Sequence, residues 1–175
     1  VVFSTLASTL LFGVFYEKSM FNSACVSSKQ AVSQANETVS NYMSSIKSKL
    51  NNLCKEADNY TDISSLQNAI YAAARLEEDI YCVMIYDMQG NLLLDGNSNN
   101  IKVKSNATNL SYDKSVFSNL KDGFAITQPH VNTLYKNKYP WVVTIAKREY
   151  SNLFAQQVFV AIDFKFSSIA KYIDK

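Results

Sequence analysis

Few side chains in this 175-residue chain have types and spacing suited to chemistry. They are one histidine (His130), three cysteines (Cys25, Cys54, Cys82), three aspartates in or beside apolar runs (Asp87, Asp95, Asp163) and the single tryptophan, Trp141. A lone histidine excludes a metal site built on two or more imidazoles. The cysteines are far apart and form no Cys-x-x-Cys, so they fit neither a disulfide framework nor a structural zinc site. They are expected to be buried or helix-face thiols, with a single long-range bridge left open. No serine or cysteine nucleophile pairs with His130 by a local signature, so His130 is either structural or a ligand contact. Asp87 and Asp95 would suit glycosidase chemistry as a pair. They flank a tight turn, however, where aspartate usually serves the backbone. Asp163 interrupts the apolar run Val158 to Phe164 and needs a partner if buried. Lys147 or Arg148 on the neighbouring strand is expected to supply it as an ion pair. No catalytic residue and no metal ligand is assigned.

Composition narrows the classes further. Forty-seven percent of the residues are apolar, enough for a packed core. Seventeen basic residues against fifteen acidic give a net charge of +2, which is no footprint for nucleic acid. Four glycines and two prolines argue against glycine-rich phosphate loops, and no cofactor is implied. The Asn-x-Ser/Thr sites at Asn36, Asn59, Asn106 and Asn109 are no more than chance gives in so Asn- and Ser-rich a chain.

The elements that must position these residues follow from periodicity. Val1 to Tyr16 carries no charge. It is short of the ~20 apolar residues of a full span and is read as the end of a transmembrane helix. A signal peptide lacking its basic region and a buried core helix are the rival readings. No glycine or proline interrupts Tyr16 to about Asp58, and apolar residues recur at Val32, Ala35, Val39, Met43, Ile46, Leu50 and Leu53. Those steps of three and four predict one long helix. Val32, Val39, Ile46 and Leu53 share a heptad position, so a parallel homodimer through this helix is expected. A second helix begins after Thr61 or Asp62 as cap. Ile80 to Tyr86 then reads as a buried strand, returning through Asp87–Gly90 along Asn91 to Asp95. A polar loop, Gly96 to Ser111, leads into a short helix over Tyr112 to Leu120. Strands follow at Phe124–His130, Trp141–Arg148 and Leu153–Phe164, and a last helix starts at Ser167. Hairpin-joined strands make this an α+β fold with an antiparallel sheet. The divisions are 1–16 for the span end, 17–60 for the stalk helix and 61–175 for the globular module.

This order, and the strings "IYDMQGNLLLD", "TQPHV", "YPWVVTIAKRE" and "VFVAIDFKFSSIAKYI", resemble the Cache family of extracytoplasmic sensor domains. The resemblance covers nearly the whole chain. It implies a PAS-like five-stranded antiparallel sheet with flanking helices after a long N-terminal helix. It implies a ligand-sensing domain of a bacterial membrane receptor, without catalysis, as in chemoreceptors and sensor histidine kinases. The spacing looks most like sensor kinases of low-GC Gram-positive bacteria, with this chain as the distal of two modules or a single-module variant. Amino-acid-binding members carry an Arg-x-Trp-Tyr string and a Pro-Tyr-x-Asp element. Here Tyr112 to Gly123 holds neither Arg nor Trp, and the second element reads Pro129-His130-Val131-Asn132.

The resemblance also places a pocket between one face of the sheet and the segment Gly96 to Gly123. Tyr112, Phe117, His130, Asn132 and Trp141 are the residues it implies for ligand contact, with Phe117 serving equally well as core. With no Arg in the covering segment, a mainly aromatic, weakly charged pocket is expected, suited to a small neutral or modestly polar ligand. The identity of that small molecule is not legible. A structural or protein-interaction ectodomain on a membrane stalk is the alternative reading.

Overall fold

The computed structural model describes residues 2–99, 101–104, 120, 121 and 123–173; for 2–11, 14, 172 and 173 it describes the backbone alone. Helix α1 runs unbroken from Val2 to Ala57, about 84 Å at 1.5 Å per residue. The apolar stripe read in the sequence is its packing face: Ile46, Leu50 and Cys54 are buried against the globular part, while Phe12, Phe15, Phe21, Val26 and Val32 stand clear of it. Helix α2, Ile63–Leu76, is capped by Asp62, whose carboxylate accepts from the Ser65 backbone N–H at 2.8 Å and the Ser65 hydroxyl at 2.6 Å. Its buried residues Leu66, Ile70 and Ala74 recur every four positions and lie against the sheet.

The strands are β1 (Ile80–Asp87), β2 (Leu92–Asn97), β3 (Phe124–Ile126), β4 (His130–Val131), β5 (Trp141–Ser151) and β6 (Gln156–Lys165). All pairings are antiparallel, in the order β2-β1-β6-β5-β3, with β4 also on β5. The β1–β2 turn forms as expected. Asp87 accepts from the Gln89 and Asn91 backbone N–H groups at 2.9 and 2.8 Å, and Gly90 takes φ 85°.

The sheet has six strands rather than five because the strand expected over Phe124–His130 is divided. Ile126 pairs with Ile145 and His130 with Val142, so three residues face two across the pair. The Thr127 hydroxyl accepts the Thr144 N–H at 2.9 Å, replacing a ladder carbonyl, and Pro129 has no N–H to donate. The last strand starts at Gln156, not Leu153, because Asn152–Ala155 forms the turn, with Ala155 at φ 51°.

Helix α3, Phe166–Ile173, follows β6 directly and packs against α1. One face of the sheet, with Val83, Ile85, Ile145, Val160 and Ile162, meets α1 and α2. The opposite face carries Cys82, Met84, Tyr86, Ala146 and Ala161, packed with Leu134 and Tyr135 from the connection after β4. The helix expected at 112–120 falls on residues that lie outside those described, except Leu120, which packs on this second face.

Candidate functional site

The second face holds a buried polar network centred on Asp163. Its carboxylate accepts from the Asn132 side-chain amide at 2.6 Å and the Thr144 hydroxyl at 2.5 Å. Thr144 stands directly opposite Asp163 on β5, and Cys82 opposite it on β1. The expected ion pair with Lys147 or Arg148 does not form. Those residues lie opposite Val160 and Phe159, further along β6. Lys147 pairs instead with Glu149, and the Arg148 guanidinium sits over the Phe159 ring. Burial pushes the Asp163 carboxyl above its ordinary range, while the Thr144 and Asn132 hydrogen bonds and the charge of His130 pull it down. The net direction is upward.

Asn132 is fully buried and does three things at once. Its amide holds Asp163, reaches the Cys82 sulfur at 3.7 Å, and its oxygen accepts the Leu134 N–H at 2.9 Å. His130 lies at the rim of the network. Its Nδ1 is 3.2 Å from the Thr127 hydroxyl and its Nε2 is 3.4 Å from the Thr144 hydroxyl. Further along the face the Tyr135 hydroxyl donates to Asp95 at 3.0 Å. Asp87 thus serves a turn and Asp95 a buried tyrosine. Cys82, deep in the face, is pushed well above the usual thiol value by burial and by Asp163, so it is not poised as a nucleophile. All three cysteines are free, Cys25 exposed and the other two buried. No group of three or more His, Cys, Asp or Glu side chains suited to a metal ion occurs among the described residues.

A cavity of about 830 Å³ opens at one end of the sheet, where β1 and β5 begin and β6 ends. Tyr81, Pro129, Lys138, Trp141, Lys165 and Phe166 are among its walls. Trp141, 58 % exposed, is also in the wall. Of the residues singled out in the sequence, Trp141 lines this cavity, while His130 and Asn132 belong to the Asp163 network beside it. Tyr112 and Phe117 lie outside the described residues. The pocket expected beneath the segment Gly96 to Gly123 falls largely on residues outside those described; the sheet-end cavity is edged by Lys138 and Lys165. Sequence reasoning passed over both, since an isolated lysine at a hairpin tip or strand end carries no signal. Thr144 was findable, as the sole polar residue within Val142–Ala146 beside a strand holding a buried aspartate.

No family model and no curated protein matches the sequence. Solved structures do match. The sensory domain of the Campylobacter jejuni chemoreceptor Tlp3 with isoleucine bound aligns with TM-score 0.59 at 13% identity, covering 84% of this chain and 64% of that one. The ligand-binding domain of the Pseudomonas fluorescens chemoreceptor CtaA in complex with L-serine gives 0.54 at 12% identity, covering 78% and 58%. The extracellular domain of the putative histidine kinase vpHK1S-Z8 gives 0.53 at 11% identity, covering 82% and 58%. The chain therefore spans less than two thirds of these structures' lengths. The shared feature is the fold, and it bears out the expected architecture of a long helix leading into an antiparallel sheet.

Proposed function

We propose that this chain is the extracytoplasmic ligand-sensing domain of a bacterial membrane receptor, of the chemoreceptor or sensor histidine kinase type, and acts by binding rather than catalysis. The observation that carries this reading is the placement of the cavity. Its wall includes Phe166 and Ser167, the first two residues of α3, and α3 packs on α1. A ligand seated there touches the element that bears on the long helix. Ligand binding shifts α1 only through a difference in affinity between two arrangements of these helices. The ligands in the matching structures, isoleucine and L-serine, are small molecules of a size the cavity accommodates.

In this reading the uncharged start of α1 is the end of a membrane-crossing helix, residues 17–60 form the stalk, and 61–175 form the sensor module outside the membrane. Among the described residues no helix is long and apolar enough to cross a membrane by itself. A second copy of the chain, parallel along α1, is the expected partner. The test is a thermal-shift screen against small metabolites. A ligand at one hundred times its Kd stabilises by ~2.7 kcal/mol, an easily measured rise in melting temperature. A screen in which nothing moves the transition favours a structural or protein-interaction ectodomain and overturns this reading.

A further inference from the structure

Tyr81, in the wall of the sheet-end cavity, carries a buried hydroxyl with no acceptor among the described residues. Between Ile80 and Cys82 the pairing of β1 with β6 slips by one residue: Ile80 lies opposite Phe164, and Cys82 opposite Asp163. Tyr81 is the extra residue of this bulge. Instead of alternating to the helix-covered face, it joins Cys82 on the other face, where its ring packs edge-on against Tyr135 at 5.7 Å. Its hydroxyl is buried and has no hydrogen-bond partner among the described residues. Burial, with the neighbouring Cys82 and Asp163, pushes this phenol up to about 12, so it keeps its proton and can only gain from an acceptor.

The other polar residues described in the wall are Asn99, Ser167, Lys138 and Lys165, and its only charges are the two ammonium groups. Lys165 donates one proton to the Glu78 carbonyl at 2.6 Å, and an ammonium has three to give. Lys138, on the connection before β5, also lines the cavity, and no aspartate or glutamate is among the described lining residues. Asp163 is turned away, toward Asn132 and Thr144. Trp141, Tyr139 and Phe166 supply flat apolar surface to the wall.

We propose that the cavity binds a small organic anion, a carboxylate on an aromatic or branched apolar body, with its oxygens on the Tyr81 hydroxyl and between Lys138 and Lys165 and its body against Trp141 and Phe166. This rests on the ligand-sensing reading above and names the ligand class for it.

The single tryptophan makes the test specific, because the only indole N–H signal in the chain comes from the cavity wall. Three probes sharing one ring are titrated to millimolar concentration while that resonance is followed: phenylacetate, phenethylamine and phenethyl alcohol. Phenylacetate is expected to shift it saturably and phenethylamine not at all, with added salt weakening the effect. Tyr81→Phe, which removes only the unpartnered hydroxyl, is expected to keep the melting temperature and weaken phenylacetate by about tenfold, the size of one hydrogen bond to a charged group. The double change Lys138→Gln with Lys165→Gln should weaken it comparably. Binding of the amine as tightly as the acid overturns the anionic class while leaving a ligand cavity in place. Silence of all three probes overturns the proposal, and the metabolite screen then decides the sensing reading on its own. Wild-type affinity in Tyr81→Phe removes the hydroxyl from the site.

Discussion

Asn132 and Asp163, 31 residues apart in the chain, meet at 2.6 Å in the interior, both fully buried. The contact ties the connection after β4 to the C-terminal part of β6, and Thr144 completes it from β5. Its energetics depend on protonation. Burial raises the Asp163 carboxyl above the ordinary value of 3.8 in the folded protein. A group that holds its proton more tightly when folded contributes stability that is full below the unfolded value and is lost as pH rises toward the folded one. Asp163→Asn keeps the shape, and Thr144 can turn to accept from the new amide while donating to His130. The expected outcome is a folded variant whose stability advantage over wild type grows from about pH 4 upward, by about 1.4 kcal/mol for each unit the folded value is raised. Asp95, also raised by burial, is present in both proteins and cancels in the difference. Urea midpoints across pH measure it, and parallel curves for the two proteins would contradict it.

Gly96 sets how closely α2 approaches β2. A methyl group at this position would lie 2.5 Å from Ile70 Cγ2, 2.9 Å from the Ile70 carbonyl carbon and 3.0 Å from the Tyr71 nitrogen. Two of those three atoms are backbone, so the helix itself must move. Gly96→Ala is expected to cost ~1–3 kcal/mol in chemical denaturation. Adding Ile70→Ala should not restore the loss, since the backbone contacts remain. A neutral single variant, or full rescue by the double, would refute the close approach.

The cysteines differ sharply in accessibility. Cys25 is exposed on α1, Cys54 is pushed up to about 12 by burial and by Glu149, and Cys82 is raised well above the usual thiol value by burial and by Asp163. A thiol reagent at mildly alkaline pH is expected to modify one cysteine per native chain and three in denaturant. Two fast-reacting thiols in the native protein would show that the Cys54 or Cys82 environment opens.

Periodicity made the helices and the first hairpin legible, because Ile46, Leu50, Leu66 and Ile70 keep helical spacing and Asp87–Gly90 has turn chemistry. What escaped depended on register, which no local pattern encodes. The interruption at Thr127–Pro129 is set by a side chain bonding to β5, and the Tyr81 bulge by how β1 meets β6. Asp163 was correctly read as needing a partner, but charge suggested Lys147 or Arg148 where register supplied Thr144 and Cys82. Trp141, at the start of β5, is exposed and lines the sheet-end cavity. His130, two strand positions from the same end, turned into the polar network instead.

The long helix carries the last prediction, and the structure alters how it must be tested. Val32, Val39 and Ile46 share a heptad position, which by sequence alone marks one seam for a partner helix. In the folded chain that seam is divided. Ile46, 1 % exposed, belongs to the core with Leu50 and Cys54, and Val39 is half-buried at the border. Val32, 61 % exposed, stands free of its own domain, as do Phe15, Phe21 and Val26. A charge at Ile46 therefore cannot report on association, because it buries an unpaired carboxylate and unfolds the domain first. Val32→Asp is the informative change. In analytical ultracentrifugation it is expected to lower the dimer content of the chain while leaving the melting temperature of the globular part within a degree or two. Ile46→Asp should instead abolish the cooperative melting transition. A wild-type chain that sediments as a monomer at every concentration, or a Val32→Asp variant that dimerises as before, would place the partner surface elsewhere than on this stretch of α1.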